Sequence, residues 1–169
     1  MRKYELPNKV IDCIEWCPNI DYNMLAVTNE EQVHLLVPGL ATKAVNERTR
    51  GMLELAKNTY TTEAAAVAKE KRHTEWEFKT EPKSQIVLSI THKNIVSRLS
   101  WHPKGDYLAT MQHNIQSTAQ VLIHSISKGS SMKPFSTTNG IIHCIAFHPT
   151  KPHFFASTQT TVFQYNLQK

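Results

Sequence analysis

Nine histidines and three cysteines are the side chains of this 169-residue chain best suited to holding a metal or to acid-base and nucleophilic chemistry. Cys13 and Cys17 lie four positions apart. On a strand rising ~3.3 Å per residue this sets them about 13 Å apart, too far to share one tetrahedral zinc. No nucleophile-elbow or papain-like motif accompanies Cys144 or the serines, so no Ser or Cys is marked as held beside a histidine and a carboxylate. Lys128-Gly129-Ser130-Ser131 lacks the Gly-x-x-x-x-Gly-Lys frame of a phosphate loop and reads as a polar turn. His102 and His148 each precede a proline, at the place Cys17 takes in a related stretch, and so read as turn residues. Together these features predict a protein that is not an enzyme, with no metal and no cofactor.

Binding is the chemistry left. Lys69, Lys71 and Arg72 would meet phosphate or acidic side chains, and Trp76 and Phe78, close behind them, would anchor a partner. The competing reading is a surface insertion without a ligand, which loop-closure entropy tolerates cheaply. A helix laid over an edge of the fold would have the same composition. The net charge of +5 and pI near 9.1 favour acidic partners such as nucleic acid or an acidic protein face, although a solvated basic surface carries the same charge. No apolar run approaches the eighteen or so residues of a membrane helix, and residues 1–8 have no signal-peptide character. With three cysteines and no disulfide-framework spacing, the expectation is a soluble, non-secreted protein of a reducing compartment.

The elements that position these residues come from an internal repeat. Ile11-x-x-Ile14-x-Trp16-x-Pro18 recurs as Val96-x-x-Leu99-x-Trp101-x-Pro103 and as Ile142-x-x-Ile145-x-Phe147-x-Pro149. After each proline a second apolar run follows: Met24 to Val27, Tyr107 to Met111, and Phe154 to Ser157. A third follows in turn: Gln32 to Val37, Gln120 to Ile126, and Thr161 to Leu167. The turn Pro103-Lys104-Gly105-Asp106 suits a chain reversal, because proline sets φ and glycine accepts a positive φ. Each copy therefore predicts a three-strand meander, with Trp16 and Trp101 at a buried position of the inner strand. The last two prolines stand 46 positions apart, close to the roughly 40 to 45 residues of a four-stranded propeller blade. The first two stand 85 apart, which leaves one blade-length between them as an insertion or a disguised blade. Residues 39 to 83 read as helix-prone or loop sequence, with Met52, Leu55 and Ala56 placed to form one face of a short helix.

This strand order resembles the WD-repeat family, whose blades commonly begin with an apolar-x-x-apolar-x-aromatic-x-Pro strand. The Trp-Asp pair of that family is replaced by His124-Ser125 and Tyr165-Asn166, and its Gly-His pair by Thr91-His92 and Asn139-Gly140. Both pairs belong to the family's buried hydrogen-bond network. More particular is the run Arg98-Leu-Ser-Trp-His-Pro-Lys-Gly-Asp-Tyr-Leu-Ala-Thr110 with Ser117 to His124, joined by Lys133-Pro134-Phe135, Cys144 to Pro152, and Gln164 to Lys169. It is similar to the block-of-proliferation (Erb) family of ribosome-biogenesis proteins, well over residues 86 to 169 and more weakly over 10 to 38. That resemblance implies a nucleolar and nucleoplasmic scaffold in pre-ribosomal RNA processing and large-subunit assembly. It further implies a Pescadillo-type protein and a second WD-repeat protein as partners, with pre-ribosomal RNA as a further one.

The predicted fold is all-β: a partial WD-repeat propeller of about three blades, the first and last incomplete, interrupted by a helical or loop segment. The expected division is an incomplete blade over 1–38, an insertion over 39–83, a blade over 84–139 and an incomplete blade over 140–169. Three blades do not close a ring, since propellers use roughly 4 to 8, so uncovered blade faces are expected. The alternative function from sequence is a general WD-repeat interaction adaptor unrelated to ribosomes.

Overall fold

The computed structural model of the protein describes residues 3, 10–66, 72–79, 85–112, 119–136 and 140–168. Twelve strands and one helix follow along them, arranged as three antiparallel sheets. The first sheet holds β1 (Cys13–Trp16), β2 (Leu25–Asn29), β3 (Gln32–Leu36), β5 (Ile86–Thr91) and β4 (Glu75–Phe78), in the order β1-β2-β3-β5-β4. The second holds β6 (Val96–Trp101), β7 (Tyr107–Gln112), β8 (Val121–Ser125) and β9 (Ser130–Met132). The third holds β10 (Cys144–Phe147), β11 (His153–Ser157) and β12 (Val162–Asn166). Each of the three meanders read from the sequence forms, because each alternates apolar residues over one strand length and then meets a turn.

The turns use the repeated pre-proline position. His102 Nδ1 accepts the Lys104 N–H at 3.2 Å, and His148 Nδ1 accepts the N–H groups of Thr150 and Lys151 at 3.1 and 3.0 Å. Both histidines thus cap turns. Gly105 carries the positive φ of 73° expected of it, and it sits so close to the neighbouring sheet that a Cβ there would lie 2.7 Å from Cys17 Sγ.

Two expectations need correction. The first blade does not stop incomplete at residue 38: β5 pairs with β3 through His34 and Ser89, supplies its fourth strand, and brings β4 in as a fifth. Residues 86–91 therefore belong to the first blade and not to the blade expected over 84–139. The physical reason is the open edge of β3, whose unpaired backbone groups accept the apolar strand returning from the insertion. The gap between the first two copies is thus an insertion between the third and fourth strands of one blade, and its described residues form no further blade.

That insertion opens with α1 (Lys43–Ala66), a helix of 24 residues rather than a short one, begun by Thr42, whose hydroxyl accepts the Val45 N–H at 3.4 Å. Its inward face is Thr49, Met52, Leu53, Ala56 and Tyr60, at the three- and four-residue spacing of one helical stripe. Leu55, expected on that face, points to solvent. One core cluster joins the first and second sheets through Val33, Leu35, Ile90, Val96, Leu99 and Trp101, and it also takes in Leu53 and Trp76 of the insertion. A second cluster joins the second and third sheets through Met111, Ile123, Ile142, Phe147 and Phe154. Between blades, Trp101 Nε1 donates to the Glu15 carbonyl at 3.1 Å. Trp16, expected to be buried like Trp101, is instead half exposed, because among the described residues no sheet packs on its side of the first blade.

Candidate functional site

The inserted segment was the expected recognition arm, and its described part is turned inward. Trp76, on β4, is 7 % exposed. Its ring stacks with Tyr60 of α1 at 6.0 Å and with Phe78 at 6.1 Å, and Tyr60 and Phe78 stand 6.0 Å apart, closing an aromatic trio. The Trp76 Nε1–H points at Thr74 Oγ1 and Ser131 Oγ, both at 3.1 Å, while its backbone N–H donates to the Tyr60 hydroxyl at 3.2 Å. The Arg72 guanidinium lies 6.0 Å above the Tyr60 ring. Arg72, Trp76 and Phe78 are therefore brought together, but as a clamp within the fold: an anchor already buried has no area left to offer a partner. Lys69 and Lys71 lie outside the described residues.

The clamp spans two blades. Ser131 belongs to β9 of the second blade, and the β8-β9 turn meets α1 at Gly129, where a Cβ would stand 2.7 Å from the Ala56 carbonyl oxygen and 2.8 Å from Tyr60 Cβ. At the other end of the helix the Asn23 N–H donates to Thr49 Oγ1 at 3.0 Å, and the amide groups of Asn23 and Asn46 pair at 2.7 Å. Arg48 and Asp21 form an exposed ion pair, of small energetic weight.

Beneath the clamp runs a buried polar chain that sequence reasoning found only in part. The Glu31 carbonyl can only accept, so His92 Nδ1, 3.2 Å from it, carries a hydrogen and His92 Nε2 is an acceptor. His124 Nε2, 3.2 Å from His92 Nε2, is then the donor, which leaves His124 Nδ1 to accept the Ser131 hydroxyl at 2.8 Å. Ser131 Oγ receives the Trp76 indole N–H and lies 2.7 Å from Thr74 Oγ1. Thr110 Oγ1 stands 3.0 Å from both histidine Nε2 atoms. One direction of donation therefore runs from the insertion to the first blade with both rings neutral. Burial enforces that state: it lowers His92 to about 4, against weaker upward pulls from the Glu31 and Ile90 carbonyls, and it takes His124 well below the ordinary range, with the neighbouring His92 adding to the effect. His92 and His124 were visible in sequence as the replacements for the family's paired residues. Thr110 and Ser131 gave no signal, because a lone hydroxyl on a strand has no pattern.

Two open clefts lie among the described residues. One, of about 600 Å³, is lined by Asp12, Arg98, Gln112, Gln120 and His143 where the inner strands begin. The other, of about 660 Å³, lies between α1 and the turns of the first two blades, lined by Tyr22, Arg48, Met52, Leu55 and Lys104. Among the described residues no three His, Cys, Asp or Glu side chains gather as metal ligands. What the arrangement offers is a buried hydrogen-bonded chain of histidines and hydroxyls beneath a mixed polar surface.

Comparison with known proteins agrees with this architecture. No protein-family profile matches the chain. The ribosome biogenesis protein BOP1 homolog of Drosophila grimshawi is 34% identical over 165 residues, covering 96% of this chain and 20% of that protein. Its counterpart in Aedes aegypti is 32% identical over 160 residues, covering 95% and 18%. This chain thus spans about a fifth of the length of the curated relatives it matches. Among solved structures, the RRP9 WD40 repeats superpose with a TM-score of 0.55 at 10% identity, covering 97% of this chain and 37% of that one. U3-55K does so with a TM-score of 0.55 at 12% identity, covering 97% and 38%. At such identities the likeness is one of fold: a WD40 propeller, represented here by three blades.

Proposed function

We propose, from the homology of this chain to a fifth of the block-of-proliferation ribosome-biogenesis proteins, that it serves as a non-catalytic scaffold in ribosome biogenesis, acting in large-subunit assembly and pre-ribosomal RNA processing. The observation that carries the reading is an alignment at 34% identity that covers 96% of the chain. The structure supports a scaffold on physical grounds. Its buried histidines and hydroxyls are engaged with one another and held neutral, which suits rigidity and leaves them unavailable as acids or bases. The partners are a Pescadillo-type protein and a second WD-repeat protein, with pre-ribosomal RNA as a further ligand, in nucleolus and nucleoplasm. Lys69 and Lys71, with the net charge of +5 behind them, are the residues we assign to phosphate or acidic contacts, while Arg72 stays engaged over the Tyr60 ring.

The test is affinity purification of the intact protein from nuclear extract, with bound proteins and RNA identified. Pre-ribosomal RNA and large-subunit assembly factors should dominate the eluate, and charge reversal at Lys69 and Lys71 should weaken RNA recovery and flatten its salt dependence. An eluate free of ribosomal precursors, and populated by other protein partners, would replace this reading with that of a general interaction adaptor.

A further inference from the structure

The helix of the insertion contains a residue for which the fold itself has no use. Gly51 is the one glycine of α1 and stands in its interior, where glycine weakens a helix. Packing does not require it, since a Cβ built there meets no atom within 4 Å, whereas one at Gly105 or Gly129 runs into a neighbouring segment at 2.7 Å. Gly51 lines the cleft of about 660 Å³ between α1 and the turns of the first two blades. It shares one helical stripe there with Arg48, Met52 and Leu55, which stand at three- and four-residue spacings along it. The cleft is preformed. Asn19 Nδ2 donates to the Lys104 carbonyl at 2.7 Å and joins the two turns, and the bond from the Asn23 N–H to Thr49 fixes the helix to the first blade. Tyr22 and Met52 are half-buried within it. Leu55 at its side is 59% exposed, and Ile20, in the turn between Asn19 and Asp21, is 91% exposed. Of the four charged side chains that line it, Asp21 is paired with Arg48 and Asp106 accepts the Ser127 N–H at 2.9 Å. Lys104 is exposed, and its ammonium makes no ion pair or hydrogen bond among the described residues.

We propose that this cleft is the docking site for an amphipathic helix of another protein. That helix crosses α1 at Gly51, seats a leucine or phenylalanine beside Tyr22, Met52 and Leu55, and brings a carboxylate to Lys104. Glycine at the crossing lets the two backbones approach more closely than a side chain would permit. Apolar anchors at helical spacing entering a groove are a recurring mode of partner recognition, and exposed Leu55 and Ile20 supply the apolar rim. The one unpaired cation selects the acidic flank. Nucleic acid fits this wall less well, because its phosphates would meet the carboxylates of Asp21 and Asp106. The site goes beyond the scaffold reading, and it holds whether or not the assembly bound there is ribosomal.

Photo-cross-linking followed by a binding measurement tests this. Benzoylphenylalanine is placed at Leu55 of the intact protein, or as a control at Thr61, which is exposed on α1 but off this stripe. Each protein is irradiated in nuclear extract, and the cross-linked peptide is sequenced by mass spectrometry. From Leu55 alone, the expected product is a segment of another protein with a leucine or phenylalanine and an acidic residue at helical spacing. A synthetic peptide of that segment should bind the intact protein. Gly51→Leu should weaken its binding at least tenfold and Lys104→Glu several-fold, and replacing the peptide's acidic residue with lysine should restore binding to Lys104→Glu. Gly51→Leu should melt at or above the wild-type temperature, since leucine favours the helix and enters open space; Lys104→Glu carries the test should that variant not fold. The proposal is overturned by the same products from Leu55 and Thr61, by a cross-link only to RNA or within the protein itself, or by no cross-link. A captured segment without an acidic residue, or binding indifferent to both substitutions, overturns it equally.

Discussion

Acidification loads the unfolded chain with a proton that the folded chain refuses, and His92 is where the refusal can be measured. In the unfolded state its imidazole titrates near the ordinary 6.5; in the fold burial holds it at about 4. Because the folded value is the lower one, the unfolded state binds the proton first. Stability contributed by neutral His92 is therefore complete above about pH 6.5 and lost as the pH falls toward 4. Linkage gives a loss of about 2 kcal/mol by pH 5 and about 3 kcal/mol by pH 4 from this residue alone. His124 adds to the same trend, since it too must remain neutral to accept from Ser131 while donating to His92. The assay is urea unfolding followed by tryptophan fluorescence, from about pH 7.5 down to 4.5, on the wild type and on His92→Gln, whose amide no longer titrates. The variant starts less stable but should lose about 2 kcal/mol less than the wild type between about pH 7 and 5. Equal losses in the two proteins would refute the reasoning, because the remaining histidines and the carboxylates titrate in both.

Three substitutions at two positions probe the clamp. Gly129→Ala should cost about 2 kcal/mol or more, because φ is 61° there and the added Cβ meets the Ala56 carbonyl, which is helix backbone and cannot swing aside; a thermal melt within a degree of wild type would contradict it. Trp76→Ala should cost about 3 to 5 kcal/mol as a buried aromatic, and Trp76→Phe about 1 to 2 kcal/mol through loss of the indole hydrogen bonds. Unchanged denaturation midpoints with lost partner binding would restore the anchor role expected from sequence.

Periodicity made the three meanders legible. Apolar residues spaced for strands and closed by proline turns admit few other arrangements, and the histidines before Pro103 and Pro149 were correctly read as turn residues because they repeat. The same local character made 43–66 recognisable as helix-prone, yet it misplaced Leu55. Which stripe of a helix turns inward depends on what it packs against, and that surface, the Gly129 turn and the Trp76 ring, lies far along the chain. The assignment of β5 failed for a related reason. Ile86 to Thr91 reads equally well as the opening of one blade or the closing of another, and only the open edge of β3 decides between them.

What the sequence determined by itself, then, was the repeating strand unit, the propeller class and the family likeness, since these are written in residue types at short and regular spacings. What only the tertiary structure decided was the use of the insertion: Trp76 as a clamp rather than an anchor, the two histidines as one directed hydrogen-bond chain, and Trp16 as exposed while its repeat-mate Trp101 is buried. Burial is a relation between segments distant in the chain. Two tryptophans at the same position of the same repeat differ in burial when one of the described sheets packs on Trp101 and none of them on Trp16.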